Sequence, residues 1–314
     1  MRRRPRGCAV RALVLGGGGA VGRVLVDELV RLGVEVTAAS RSSANARIDL
    51  AGPHGLDALA EHAARYDVVV NASGVEDPRL VVAAAPAAYV DISATARTLV
   101  GISEAARPGQ RVLLGAGLAP GLSTMLVAAL PTRPGDDVDL GVILGTGERH
   151  GPAAVSWTAD LAGQPVFAPP EGGVVVNLRE RRTLPAPDGT RSYLRADFPD
   201  HVLADGARGI RVRSYLAVGD RATTAALGLV GRSPRLAPLM ARAPQLGSAR
   251  WSLTAVNRRT GVAVAAAGEG QSRATGVLTA LGVVALLDRG PDRAVSLASL
   301  LDLADLPALG RARR

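Results

Sequence analysis

The feature that most constrains this chain is Leu13-Val14-Leu15-Gly16-Gly17-Gly18-Gly19-Ala20-Val21-Gly22-Arg23, an apolar run that breaks into glycines and then takes up helical spacing. Gly17, Gly19 and Gly22 fit G-x-G-x-x-G, directly after a strand-like segment and directly before the apolar positions Val24, Leu25, Leu29 and Leu32. In that context Gly17 makes a tight turn, Gly19 lets the backbone approach a pyrophosphate, and Gly22 lets helix and strand pack closely. The unpaired amides of the helix start, at Ala20 and Val21, then face the anion. The spacing predicts a dinucleotide phosphate cradle; the alternative is a flexible glycine-rich turn in another kind of α/β protein.

At 314 residues the chain has room for two domains. All 37 basic residues are arginine, and none is lysine. A formal charge of +9 ordinarily points to an acidic partner. Here the densest basic clusters, 2–6 and 311–314, sit at the two ends, and aromatics are only 3%, which leaves little to stack on bases. The expectation is no nucleic-acid partner. Absence of lysine excludes a Schiff base, a Walker-type phosphate lysine and a Tyr-x-x-x-Lys pair. The single Cys8 cannot form an internal disulfide and leaves no thiolate cluster for zinc, so no metal is expected and a reducing cytoplasm fits. No apolar run is long enough to span a membrane.

Along the chain, Val34-Glu35-Val36-Thr37-Ala38-Ala39 reads as a second strand, Ile48-Asp49-Leu50 as a short strand-like piece, and residues 55–65 as a helix. Tyr66 to Gly74 is a buried parallel strand with a polar tip. Residues 80–88 form a helix, 89–93 a strand, 96–107 a helix and 111–117 a strand. Residues 119–130 form a helix with Pro120 near its first turn. Strands alternating with helices through short connections specify a doubly wound parallel sheet. The pattern then changes. A strand at 138–145, a hairpin of 174–182 with 191–198 about Asp188-Gly189, and a strand at 210–218 come first. A helical stretch at 222–240 and a hairpin of 251–257 with 261–267 follow, predicting an antiparallel-rich α+β region with a mixed sheet. A long helix over 275–287 packs back on the first core, and 295–303 reads as a shorter amphipathic helix. The domain reading is 1–118 for the dinucleotide-binding domain, 119–267 for the inserted α+β domain, and 268–314 for C-terminal helices returning to the first.

Nucleotide choice turns on Ser40-Arg41-Ser42-Ser43. A dinucleotide fold usually ends its second strand in a carboxylate that binds the adenosine ribose. Here the position offers hydroxyls and a guanidinium, which suit a 2′-phosphate, so NADP is expected rather than NAD; the alternative is one more solvated arginine. Asp49 and Leu50 would flank the adenine, with a turn or helix-cap role for Asp49 as the alternative. Asn71, Ala72, Ser73, Gly74 and Gly117 would line the cofactor at the carboxyl ends of their strands.

Several segments resemble the saccharopine dehydrogenase-like (saccharopine reductase-like) family. They are residues 14–23, Val69-Val70-Asn71-Ala72-Ser73-Gly74, Tyr89-Val90-Asp91-Ile92-Ser93, Gly115-Ala116-Gly117-Leu118-Ala119-Pro120-Gly121 and Ala274-Thr275-Gly276. The resemblance implies an N-terminal Rossmann domain, a second domain that often makes a homodimer, a returning C-terminal helix, and reduction or oxidation of a carbon–nitrogen bond with NAD(P)H. The chain departs from the lysine-forming members in having no lysine as acid or base, which points to a secondary-metabolite or orphan reductase.

Hydride transfer to an imine or carbonyl also needs a proton donor. His201, in Asp197-Phe198-Pro199-Asp200-His201, is the first candidate, against a surface-loop histidine beside carboxylates. Asp91 and Ser93 would touch the nicotinamide, against strand-end capping. Trp157 and Asp160 would meet a cationic amine as an aromatic wall and a carboxylate, against a core tryptophan and a helix cap. The expected function is an NADP-dependent reductase of a small imine, ketone or amino-acid-derived substrate. The alternatives are a Rossmann isomerase or cyclase without net redox change, or a dinucleotide-binding redox sensor.

Overall fold

The apolar run before the glycines becomes β1 (Arg11–Leu15), which pairs in parallel with β2 (Glu35–Ala39) on one side and β3 (Val68–Asn71) on the other. Its side chains alternate between two buried faces. Ala12 and Val14 join the cluster that holds Leu25 and Leu29 of α1 (Ala20–Arg31), while Leu13 and Leu15 join Leu59 of α2 (Gly55–Ala63). Burial on both faces is why these strands read as continuous apolar runs. In this computed structural model residues 9–148, 157, 160–204, 208–236, 247–307 and 312–313 are described. The basic cluster 2–6, Cys8, His150 and the continuation of the 222–240 helix past residue 236 lie outside them.

Beyond β3 the chain adds α3 (Arg79–Ala84), β4 (Ala88–Asp91), α4 (Ala96–Ala105) and β5 (Val112–Leu114). Strand β12 (Ala294–Ser296) then pairs in parallel with β5 and closes a six-stranded parallel sheet of order β12-β5-β4-β3-β1-β2. This corrects the helix expected over 295–303. The segment is a strand followed by the 3-10 turns Leu297–Ser299 and Leu303–Asp305, because the open edge of β5 and burial of Val295 and Leu297 outweigh the helical spacing. Residues 48–50 are likewise not a strand. Ser40 and Arg47 form an isolated parallel bridge, after which Ile48 plugs the core and Asp49 accepts from the Ala51 amide at 3.3 Å in a turn. Pro120 lies outside its helix, α5 (Leu122–Ala129), which starts after Gly121.

The second sheet has seven strands: β6 (Asp137–Leu144), β7 (Arg181–Ala186), β8 (Gly189–Arg195), β9 (Arg211–Val218), β10 (Arg250–Asn257), β11 (Ala263–Glu269) and β13 (Ala312–Arg313). Their order is β13-β11-β10-β6-β9-β8-β7, with β6 and β9 parallel and the other neighbours antiparallel. The β7–β8 hairpin turns at Asp188-Gly189, but its first strand starts at Arg181 rather than at residue 174. Short α6 (Asp200–Ala204) and α7 (Arg221–Arg232) pack on this sheet, and α8 (Gln271–Arg289) runs back onto α1. The core is continuous between the sheets: Val14, Leu25 and Leu278 share a cluster with Leu140, Leu216 and Leu253.

The acidic start of β6 ties the second sheet together. Asp139, 1% exposed, accepts from Arg182 on β7 at 2.9 Å and from Arg258 after β10 at 2.6–2.9 Å. Asp136 accepts from Arg259 at 2.7 and 2.9 Å, and Asp137 from Arg211 at 2.7 and 3.0 Å and Arg213 at 2.6 Å on β9. Hydrogen bonds from Arg211, and then Arg213, hold the Asp137 carboxyl down to about 2 from an ordinary 3.8, against the opposing effect of burial. A depressed native value means the unfolded chain takes the proton first, so this stabilisation is complete above about pH 4 and is lost as pH falls towards about 2. Melting temperature should therefore drop more steeply between those pH values for the native protein than for Asp137→Asn; parallel profiles would show that the carboxylate contributes nothing to acid lability.

Candidate functional site

Register places the polar strand tips in one line. Ala39, Leu15, Asn71, Asp91, Leu114 and Ser296 are consecutive partners across the first sheet, so the loops that follow them leave from one edge. The strand order reverses at β1, with β2 to one side and β3 to the other, and such a reversal opens a crevice over the carboxyl ends.

The glycine loop lies in that crevice. Gly16, at φ +76°, makes the turn that the spacing assigns to Gly17, and a Cβ on it would stand 2.5 Å from the Ala72 carbonyl oxygen. Gly17 instead packs on β2, 2.6 Å from its would-be Cβ to that of Ala38. A Cβ on Gly22 would collide with the Gly16 carbonyl oxygen, so α1 reaches the loop only because that position has no side chain. Gly19 donates its amide to Gly16 at 2.9 Å, and the space off Gly18 is open. The helix start carries no side-chain cap and no acidic residue, leaving the amides of Ala20, Val21 and Gly22 without intrahelical acceptors. Arg23 donates to the Gly18 carbonyl at 2.8 Å and holds a guanidinium beside the loop. This set of donors, with no carboxylate among them, fits a pyrophosphate.

At the end of β2, Ser40 is half-buried and its hydroxyl accepts from the Ser42 amide at 3.3 Å. Arg41 and Ser42 are exposed. The Ser40 bridge brings Arg47 to the same strand end, a second exposed arginine that the motif-based reading passed over. Among the described residues neither Arg41 nor Arg47 has an ion pair. Asp49 serves a turn and Leu50 packs into the core cluster beneath, so both have local structural employment.

Under the tips of β3 and β4 lies a closed polar network. Asp91, fully buried, accepts from the Tyr89 hydroxyl at 2.7 Å, from Asn71 Nδ2 at 3.0 Å and from the Ser93 amide at 2.7 Å. Asn71 also donates to the Val75 carbonyl at 2.9 Å and accepts from the Ser73 hydroxyl at 2.7 Å and amide at 3.2 Å. Burial, reinforced by the Asp91 carboxylate, pushes the Tyr89 phenol well above its ordinary 10. Asp91 thus braces the strand ends, and with both oxygens engaged it presents no acid to a ligand. The bracing shapes the Asn71 to Gly74 turn that borders the glycine loop.

The next strand end leads to the second sheet. After β5, the Leu118 amide donates to Thr275 on α8 at 3.3 Å and the Gly117 amide to the Pro120 carbonyl at 3.0 Å. Leu203 of α6 packs where a side chain on Gly115 would be, so the Asp197–His201 segment is seated against this loop. His201 is in a helix and only 6% exposed, rather than in a surface loop. Its Nδ1 faces the Phe198 carbonyl at 3.0 Å and its Nε2 the Phe167 carbonyl at 2.8 Å. Carbonyls only accept, so a neutral ring satisfies one contact at a time. Asp200 accepts from the Ser123 and Thr124 hydroxyls, both at 2.7 Å, and Asp197 from the Phe167 amide at 2.9 Å. Each has one buried carboxyl oxygen without a partner, and burial pushes both carboxyls up towards the neutral acid. Trp157 is half-buried, its ring 4.9 Å from that of Phe198, whereas Asp160 is exposed one turn on. Arg97 of α4 stacks over Phe167 at 4.7 Å, tying this corner to the first sheet. Asp197 and Asp200 stood beside His201 in the sequence, but their burial had no sequence signal.

With this geometry in place, the chain can be set beside known proteins. Residues 12–117 match the NAD dependent epimerase/dehydratase family. That stretch includes the glycine loop, the β2 end and the Asn71–Asp91 network. Among curated proteins none matches the chain. Of solved structures, an engineered D-amino acid dehydrogenase bound to NADP+ is similar at 13% identity over 94% of this chain and 95% of that one, with a TM-score of 0.49. The diaminopimelate (DAP) dehydrogenase of C. glutamicum in complex with DAP gives 14%, 93%, 94% and 0.47 in the same order. A dipicolinate-bound dihydrodipicolinate reductase from Paenisporosarcina sp. TG-14 gives 12%, 94%, 100% and 0.37. The fold assignment rests on the strand order and register above.

The Asp91 network predicts its own fragility. In Asp91→Asn, either orientation of the amide sets an NH2 against a donor from Asn71 or Ser93, which should cost about 1–3 kcal/mol. Urea unfolding is expected to show a lower midpoint with an unchanged slope; an unshifted midpoint would mean that the network does not brace the strand ends.

Proposed function

We propose that the chain is an NADP-dependent oxidoreductase that reduces a small imine, ketone or amino-acid-derived substrate, as the resemblance to saccharopine dehydrogenase-like reductases implies. The observation that carries the nucleotide choice is the end of β2, where Arg41 and Arg47 stand exposed beside Ser40 and Ser42 with no carboxylate in the ribose position. A 2′-phosphate gains charge-assisted hydrogen bonds there, and the glycine-loop amides take the pyrophosphate.

When bound, NADPH supplies the hydride. The chain's own share is placement and proton supply. Ala72, Ser73 and Gly74, held by Asn71, border the nicotinamide half of the crevice, with Gly117 in the loop after the next strand but one. The buried Asp197, Asp200 and His201 group packs against that loop and is the titratable cluster from which a proton reaches the reduced atom. Trp157 and Phe198 supply an apolar wall beside it. Asp91 and Ser93 act as positioning residues beneath the ring rather than as acids.

The match to an epimerase/dehydratase family favours a second reading, in which hydride leaves and returns to one substrate without net redox change. The absence of lysine weighs against it where that chemistry uses a Tyr-x-x-x-Lys pair. Equilibrium titration with NADPH and NADH tests the nucleotide reading: NADPH should bind more tightly, and Arg41→Asp should weaken NADPH by roughly tenfold or more while sparing NADH. Equal loss for both nucleotides, or tighter NADH binding, would refute the role given to the β2 end.

A further inference from the structure

A second anion site lies on the other sheet. Three arginines, Arg181 at the start of β7, Arg191 on β8 and Arg221 at the start of α7, converge with Thr190, Ser192 and Thr224 on a cavity of about 270 Å3 that no carboxylate lines. Six other arginines of the same sheet and its turns behave differently. Arg182, Arg195, Arg211, Arg213, Arg258 and Arg259 each have a carboxylate partner. Among the described residues Arg181, Arg191 and Arg221 are in no ion pair, though the Thr223 hydrogen bonds and, after them, the charge of Arg191 help hold the Asp220 carboxyl down. Among the described residues Arg250 of β10 is also in no ion pair; what sets Arg181, Arg191 and Arg221 apart is that all three line one concavity.

The guanidiniums are also held in place. Arg191 donates to the Gly219 carbonyl at 2.6 Å and to the Thr224 hydroxyl at 3.3 Å, while its Nε is buried with no partner. Arg221 donates to the Thr190 carbonyl at 3.2 Å. Arg181 lies along α7 over Gly228, where a Cβ would stand 2.7 Å from its Nη2. Nearby carboxylates are committed elsewhere: Asp220 caps α7 through the Thr223 amide and hydroxyl at 2.7 and 2.8 Å, and Glu180 accepts from the Tyr215 hydroxyl at 3.2 Å.

We propose that this cavity binds the phosphoryl group of a small molecule, separately from the dinucleotide crevice. Forked guanidinium donors from three directions, with the Thr190 and Ser192 side chains between them, suit a tetrahedral oxyanion with several acceptor oxygens. The volume admits a phosphate with a short organic substituent. The inference does not depend on the oxidoreductase reading, since none of these residues belongs to the glycine loop or the β2 end.

The test is an amide NMR titration of the full chain at constant ionic strength with inorganic phosphate, glycerol 3-phosphate, succinate and chloride. Saturable shifts of the Ser192, Arg221 and Thr224 amides with phosphate or the phosphomonoester are expected, tighter for whichever the site serves. Replacing both exposed arginines (Arg181→Gln with Arg221→Gln) should weaken that binding by roughly tenfold or more, with the remaining spectrum unchanged. Arg41→Gln should leave it as in the native protein. No saturable shift, an equal response to chloride, tighter binding of succinate, or indifference to the double substitution would each overturn the proposal.

Discussion

The arrangement depends on one close approach of backbone to backbone, Gly22 of α1 against the Gly16 carbonyl. A side chain on Gly22 would drive the helix off the loop and turn its free amides away from the crevice, and one on Gly16 would strike the Ala72–Ser73 backbone of the neighbouring turn. The opposite side of α1 is fixed by a similar step: Gly276 of α8 lies where a Cβ would meet the Val24 side chain at 2.8 Å and the Leu25 amide nitrogen at 3.0 Å. The helix is clamped between the glycine loop and a segment more than 250 residues later in the chain. One residue before Gly276, Thr275 accepts the Leu118 amide, so the same turn of α8 also holds the loop after β5. The long C-terminal helix thereby fixes both halves of the crevice relative to each other.

Electrostatics divides the molecule in a way that net charge conceals. Within the second sheet, Asp136, Asp137 and Asp139 are matched by arginines from β7, β9 and the β10–β11 turn, and the match joins strands that are distant in sequence. Asp139 is the buried centre of this match, and a buried carboxylate costs much to leave unpaired while adding little over an apolar substitute, so its value lies in fixing which strands meet. Arginines left unmatched are then informative. Two groups of them, at the β2 end and around the cavity beside α7, stand with hydroxyls beside the guanidiniums.

Much of the first sheet was legible because its signals are local. An apolar run followed by spaced glycines specifies β1, the loop and α1, and Val68 to Asn71 declares a doubly buried strand by composition alone. The glycine roles were displaced by one residue, since the positive φ falls on Gly16 and only the backbone path decides that. What stayed hidden was set by contacts across long sequence separations. Residues 295–303 have helical spacing, but Ala294–Ser296 pair with β5 and a 3-10 turn follows. His201 looks like a loop histidine until Phe167 and Phe198 are seen to enclose it. Asp91 reads as readily as a nicotinamide contact as a strand-end cap, and the three hydrogen bonds it accepts from Tyr89, Asn71 and Ser93 have no local sequence signal. Arg47 carried no motif; an isolated bridge to Ser40 brings it to the nucleotide end.

We propose that the Gly16–Gly22 loop and the β2 end together hold NADP. A crystal structure of the chain with NADP+ tests it most directly. Pyrophosphate density is expected within hydrogen-bond reach of the Gly17 to Gly22 amides, and the 2′-phosphate against Arg41 and Arg47. Nucleotide bound elsewhere, or bound with its ribose turned away from the end of β2, would contradict it.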